Sequence, residues 1–449
     1  MAPSISLLSL ATLAWPLLLP AQTNPDLSRI LERLDRLEQE NRALAGEVKA
    51  LRSELAASRA GRPSEATTTV AETTVTPTAD ERLDIQQSRI DEMAQTKVEG
   101  AQKFPIRFTG MALFNAFINS KQSGGLDYPV IAAPTGPGHD GATVRQSIIG
   151  LEFAGPTAIW GGKVHASVYT DFFAGATNSA MRIRTASIGV DWKTTSVAAG
   201  LEKPIFNPRE PSSLAQVGIS PLTGAGNLWL WLPQVRVEQE LRLASHTGLH
   251  AQFGVVQTRE IGPYIGTVTP EAARPGAEGR VNFHHNFDED RRLEFAAGFH
   301  ESTTHAGGHS TPSSLYSLDW FYNPWKRLEF TGTFYSGQNV AHLGSGTRQG
   351  FAITKYHTYA VQSKGGWGQI TIHTLPRLDF HLFTGQVDDA NHELGVGSIG
   401  KNLLFGGNAY FKVAPNVLVG LETTQVRTVY MGQGTRINNH YDLALAYLF

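Results

Sequence analysis

The chain has no cysteine, which excludes disulfide staples, a thiolate metal site and a cysteine nucleophile. Net charge is nearly absent too: Lys+Arg 38 against Asp+Glu 40 leaves -2 at pH 7. Nucleic-acid phosphates would call for a basic face, and this balance supplies none. Charged residues reach only 17%, below the roughly one quarter usual in soluble domains. No apolar run is long enough to read as a spanning helix. What is plentiful is glycine, 45 in 449 residues, together with 9% aromatics, a composition suited to many strands and tight turns. Low charge without an apolar helix leaves a soluble β-protein or a membrane β-barrel.

The first 21 residues are expected to be an export signal. An apolar stretch, 5–19, precedes Pro20-Ala21-Gln22, which offers cleavage after Ala21. Leu19 and the late first basic residue, Arg29, depart from the usual pattern and keep a short anchor or a misassigned start open. Residues 24–58 carry heptads: Leu27, Leu34, Asn41, Val48 and Leu55 at one core position, Ile30, Leu37, Leu44 and Leu51 at the other. A seven-residue apolar repeat keeps facing a partner only by supercoiling, so a coiled coil is expected, about 45 Å long at ~1.5 Å per residue. Asn41 fixes register without choosing between two and three strands. A lone amphipathic helix on the barrel rim is the alternative. Residues 59–80, rich in Thr, Ala and Pro, read as a flexible linker, and 81–103 as a short helical connector.

From 104 to 449 short alternating runs are separated by turn residues, and the connections alternate between short and long. That asymmetry belongs to outer-membrane barrels, whose long loops face outside. The fold expected is all-β, a transmembrane antiparallel β-barrel of about 16 strands, an even number, preceded by the α-helical coiled coil. The first eight strands are expected at 105–118, 142–154, 161–172, 182–193, 196–203, 228–243, 247–258 and 278–287. The rest are expected at 291–301, 314–323, 327–338, 366–375, 378–387, 400–413, 416–428 and 438–449. Long loops are expected at 119–142, 203–227, 258–277, 301–313, 338–365 and 387–400, with room for an extra hairpin in 350–362.

Parity within strands assigns the lumen. In 161–172, Val164, Ala166, Val168 and Thr170 face lipid, while Lys163, His165, Ser167, Tyr169 and Asp171 face inward. Arg236, Glu238 and Glu240 alternate with Val235, Val237 and Leu241, and Arg280 with Val281. A soluble barrel would reverse this polarity. The expected pore-lining set is therefore Lys163, His165, Asp171, Arg236, Glu238, Glu240 and Arg280. Trp192 and Trp325 at short turns, with Trp229, Trp231 and Trp367 at long loops, are expected to form the interfacial girdles. Arg182 and Arg184 share parity with Ile188 and Val190. An inward position for them needs a bulge; otherwise they sit above the membrane.

The sequence closes on Tyr441, Leu443, Leu445, Tyr447 and Phe449 along one strand face. A terminal aromatic after such alternation resembles the signal read by the outer-membrane insertion machinery. With 104–110 (FPIRFTG), 182–186 (RIRTA), 226–231 (GNLWLW), 233–238 (PQVRVE) and 438–449 (NNHYDLALAYLF), the chain resembles trimeric outer-membrane porins of the DcaP-like or phosphate-selective type. The resemblance implies a homotrimer in the bacterial outer membrane, with the coiled coil in the periplasm. It also implies passive diffusion of small, often anionic solutes. Here the inward strands mix both signs, so the sequence leaves charge preference open. No cofactor, metal or catalytic group is expected.

The long loop 203–227 is stiffened by Pro204, Pro208, Pro211 and Pro221. It is expected either to fold inward, with Lys203, Arg209 and Glu210 at a constriction, or to cover the mouth. Other patterns carry less. Residues 395–400 satisfy a bare G-x-G-x-x-G but precede a strand, whereas phosphate cradling needs a helix. His284 and His285 are adjacent and fall on opposite faces. A barrel hydrolase and an envelope tether, with the coiled coil contacting periplasmic partners or peptidoglycan, are the competing classes. His165, Ser167 and Asp171 share a face, but one strand supplies no oxyanion donors.

Overall fold

A computed structural model of the protein describes residues 106–449, apart from 176–178, 261–269, 346, 348 and 354–357. The expected signal, coiled coil, linker and connector lie outside the described residues. The strands are β1 (Ile106–Asn119), β2 (His139–Thr143), β3 (Ile148–Thr157), β4 (Lys163–Asp171), β5 (Arg182–Asp191), β6 (Thr195–Glu202) and β7 (Leu232–Ala244). They continue with β8 (Thr247–Val256), β9 (Glu271–Asn286), β10 (Arg292–Ala306), β11 (His309–Trp325), β12 (Leu328–Gln338), β13 (Phe351–Ile353) and β14 (Thr358–Ala360). The last are β15 (Gln362–Leu375), β16 (Leu378–Asp389), β17 (Ile399–Ala414), β18 (Val417–Tyr430) and β19 (Gly434–Leu448).

All but β13 and β14 form one antiparallel sheet that closes when β1 pairs with β19, from Met111↔Leu448 to Asn119↔His440. β2 and β3 lie end to end against β1 and share one place, so the barrel has sixteen positions. Closure matters energetically. Each unpaired backbone group in hydrocarbon costs several kcal/mol, and a closed barrel leaves no edge.

The alternation read from the sequence places side chains as expected. On β19, Tyr441, Leu443, Leu445 and Tyr447 are exposed, whereas His440, Asp442, Ala444 and Ala446 are buried. Val235, Val237, Leu241, Phe253, Val281 and Phe295 are likewise exposed. An apolar exterior over a polar interior is the polarity of a membrane-spanning barrel.

Local expectations change at several places. The loop expected at 301–313 is instead a tall hairpin: β10 and β11 pair from Glu301↔Ser314 to Ala306↔His309, turning on Gly307 and Gly308. Both glycines have positive φ, +59° and +80°, which a two-residue hairpin turn requires and side chains resist. The second strand is interrupted between β2 and β3, where Arg145 and Gln146 turn inward and are buried. Residues 228–231 precede β7 rather than belonging to it. The hairpin allowed for within 350–362 is present as β13 and β14.

Candidate functional site

The loop between β6 and β7 crosses the lumen, and its bonds name the walls it meets. Ile205 N donates to Glu278 on β9 (2.7 Å), and Ser317 on β11 donates to the Phe206 carbonyl (2.8 Å). Ser212 N donates to Gln369 on β15, Ser213 Oγ to Glu422 on β18, and Asn408 on β17 to the Ser212 carbonyl. Asn115 on β1 donates to the Leu214 carbonyl, and Gln146 accepts from both Val217 N and Gly218 N. Fixed φ at its prolines lets this segment run as a stiff strap. Buried amide, hydroxyl and carboxylate groups of the wall bond to its backbone.

Two arginine clusters bound the strap. Arg209 Nε donates to Asp319 Oδ1 (2.6 Å) and its Nη2 to Glu294 Oε2 (2.6 Å), while Arg280 grips Asp319 with two bonds of 2.8 Å. Asp319 is fully buried, so both guanidinium groups are needed to offset its desolvation. Opposite them, Arg182 and Arg184 both donate to buried Asp171. Their inward aim comes from a bulge: Tyr169 pairs with Thr185 but Thr170 with Ile183, leaving Arg184 extra. That is the bulge an inward position needs. Arg182 and Arg184 lie over the Trp231 ring, at 5.1 and 4.9 Å, and Arg145 over Phe173 at 4.5 Å.

Trp229 and Trp231 therefore face the arginines of the lumen and not the lipid boundary. Trp367 also points inward, packed with Leu222, Phe383 and Leu404. Parity puts 367 on the same face as Gln369 and Thr371, both buried, which the girdle assignment overlooked. Trp325 is exposed beside its short turn, as expected.

The interior is filled unevenly. On one side, loops 120–138, 203–231 and 339–361 pack apolar groups against the wall. One cluster joins Ala132, Leu222 and Ala225 to Trp367, Phe383, Leu404 and Val426. A second joins Phe206, Leu228, Val340 and Leu343 to Leu315, Tyr335 and Val387. Most inward residues from β11 to β18 are accordingly buried. His342 in the third loop lies in this packing, bonded to Ser313 (3.1 Å), and burial beside His300 pushes its pKa down to about 3. On the other side, from β3 to β8, inward Glu152, Ser167, Ser187, Ser196, Arg236, Glu238, Glu240 and Gln252 stay half-exposed.

The expected pore-lining residues divide between these settings. His165, Arg236, Glu238 and Glu240 stand half-exposed on the open side, and Lys163 is exposed at its short-turn end. Asp171 and Arg280 are buried anchors. Lys203 and Glu210 pair at 2.6 Å within the strap. Sequence reasoning missed Gln146, Asn115, Glu422 and Asn408, whose only signal was a polar residue at an inward position. Gly395–Gly400 leads into β17, a strand, so no helix N-terminus is there to hold phosphate.

No family model and no curated protein matches this sequence. Among solved structures it is similar to the outer membrane channel DcaP of Acinetobacter baumannii. They share 16% identity at a TM-score of 0.63, over 78% of this chain and 98% of that one. It is also similar to the anion-selective porin from Comamonas acidovorans, 11% identical at a TM-score of 0.54, over 77% of this chain and 100% of that one. The fold is that of a DcaP-type porin barrel. In this porin-type barrel the inward strap lies between the fifth and sixth wall positions, and both termini of the described segment meet where β1 pairs with β19.

Proposed function

We propose that this protein is an outer-membrane porin, a passive diffusion channel for small hydrophilic solutes, anions among them. The observation that carries this reading is the uneven interior: the strap crosses the barrel, yet the inward side chains from β3 to β8 remain half-exposed. Lys163, His165, Arg236, Glu238 and Glu240 line the passage, with Asp171 and Arg280 anchoring its edges. Lys203, Arg209 and Glu210 belong to the strap that narrows it. Arg145, Arg182 and Arg184 against Asp127 and Asp171 leave a cationic excess that attracts anions. The likeness of fold to two outer-membrane channels supports the same reading.

The chain assembles as a homotrimer in this account, with lipid on its apolar outer band. Residues 1–21 are removed on export, and the 24–58 coiled coil and its linker lie in the periplasm. The apolar packing that seals the other side favours a second reading, a closed barrel that anchors the coiled coil to periplasmic partners. Purified protein in planar bilayers separates them. A porin gives stepwise conductance; a sealed barrel gives none, and lipid hydrolysis in detergent points to an enzyme instead.

A further inference from the structure

Three histidines stand on the open side of the lumen, each against a carboxylate of another strand. His165 Nδ1 on β4 lies 3.0 Å from Asp191 on β5. His250 Nε2 on β8 lies 3.1 Å from Glu238 on β7. His284 Nε2 on β9 lies 3.3 Å from Glu240 on β7, although β8 runs between them. That reach exists because position 248 on β8 is glycine: a Cβ there would come within 2.6 Å of both Glu240 Oε1 and the His284 ring. These are pairs rather than a metal cage; among the described residues no group of three or more His, Asp or Glu is placed to hold an ion.

Other charged groups surround the pairs. Lys163 neighbours His165 on β4, and Glu152 on β3, held by Tyr169, lies opposite Ser167, the next inward position after His165. Around His250 and His284 stand Arg236 and Arg242 on β7, Arg280 on β9, and Arg292 and Glu294 on β10. Glu294 lies opposite His284 in register and is bonded to Arg209 of the strap. Lysine and arginine keep their charge from pH 5 to 8, and ordinary carboxylates keep theirs; imidazole is the group that changes there.

We propose that these three pairs form a proton-controlled charge filter, so that the channel's preference for anions strengthens as pH falls from about 8 to about 5.5. The inference rests on the channel reading above. With neutral imidazole Asp191 and Glu240 show their negative charge to the lumen, whereas Glu238 is also held by Arg236 Nε at 2.7 Å. Protonation cancels that charge within the same cross-strand pair, while the lysine and arginines of the wall persist. Charges on the wall near the short-turn mouth set the local potential that an entering ion meets. Each pair also crosses between strands, so the change occurs without moving the strap.

The test is the reversal potential of the full-length protein in planar bilayers under a KCl gradient, at about pH 8 and about pH 5.5. The chloride-to-potassium permeability ratio is expected to rise about threefold or more on acidification. The triple variant His165→Gln, His250→Gln, His284→Gln is expected to lose most of that rise. Should the triple variant fail to insert, Gly248→Ala, which parts Glu240 from His284, is expected to remove about a third of it. Open wild-type channels whose ratio does not move with pH overturn the filter and leave the channel reading standing. Absence of open channels at either pH overturns the channel reading and the filter with it.

Discussion

The two sides of the lumen are built from the same alternating strands and end in opposite states. From β11 to β18 the inward positions include Leu315, Tyr335, Trp367, Phe383, Val387, Leu404 and Val426, which receive apolar groups from three loops. From β3 to β8 they include Glu152, Ser167, Ser187, Ser196, Arg236, Glu238 and Gln252, which stay half-exposed. The difference teaches that barrel closure and lumen opening are separate decisions. Closure follows from backbone pairing, which is uniform around the wall. Opening follows from whether inward side chains are apolar enough to repay the ordering of a loop against them.

Breaking the sealed side should have the largest effect. Phe206→Ala removes a fully buried ring from the second cluster and is expected to cost about 3–5 kcal/mol. Denaturant unfolding of the refolded protein checks it, and the same substitution should add open-channel noise. Next comes the strap's grip. Arg209→Ala deletes charge-assisted bonds to Asp319 and Glu294 and is expected to cost about 1.5–3 kcal/mol, with a larger single-channel conductance. Glu210→Ala, which breaks the pair with Lys203 and removes a charge acting on Arg184, should change conductance less.

A pH effect on the sealed side follows from His342. Its folded value lies below the ordinary 6.5, pushed to about 3, so the unfolded loop binds the proton more readily. Stability from this residue is full above about pH 6.5 and falls as the pH drops toward 3, by about 1.4 kcal/mol at pH 5.5. Hydrogen exchange across 339–345, corrected for intrinsic rates, should show lower protection at acid pH. The smallest effect belongs to the short turns. Asp290 raises the Lys326 pKa at a fully exposed site, where screening by water leaves little net gain. Lys326→Met should leave unfolding and conductance unchanged within error.

Much of the fold was legible because period-two alternation is a local property. Tyr441 to Phe449 announced a wall strand, and the parity of Lys163 to Asp171 announced its faces. The parity conflict at Arg182 and Arg184 left a bulge or a place above the membrane open, and β5 carries the bulge. The misreadings share a cause. Gly307 and Gly308 looked like part of a long loop because paired glycines with Ser and Pro nearby are turn chemistry, yet cross-strand pairing held the flanking residues in strands. Trp229 and Trp231 were given to the membrane boundary because indole prefers it, but the arginines of β5 attract indole too. The site was less legible than the fold. Arg209 meeting Asp319, or Glu240 meeting His284 across Gly248, depends on register between distant segments, which no local pattern encodes.

The natural absence of cysteine gives the most direct test of the central claim, that one side of the lumen is the passage and the other is sealed. Single cysteines at Ser187 and Ser196 on the open side, and at Ser317 and Thr333 on the sealed side, would be treated with a charged, membrane-impermeant thiol reagent during bilayer recording. The account predicts that Ser187→Cys and Ser196→Cys react quickly and step the current down, while Ser317→Cys and Thr333→Cys remain unmodified. Rapid modification of the sealed-side pair, with no effect at the open-side pair, would contradict it.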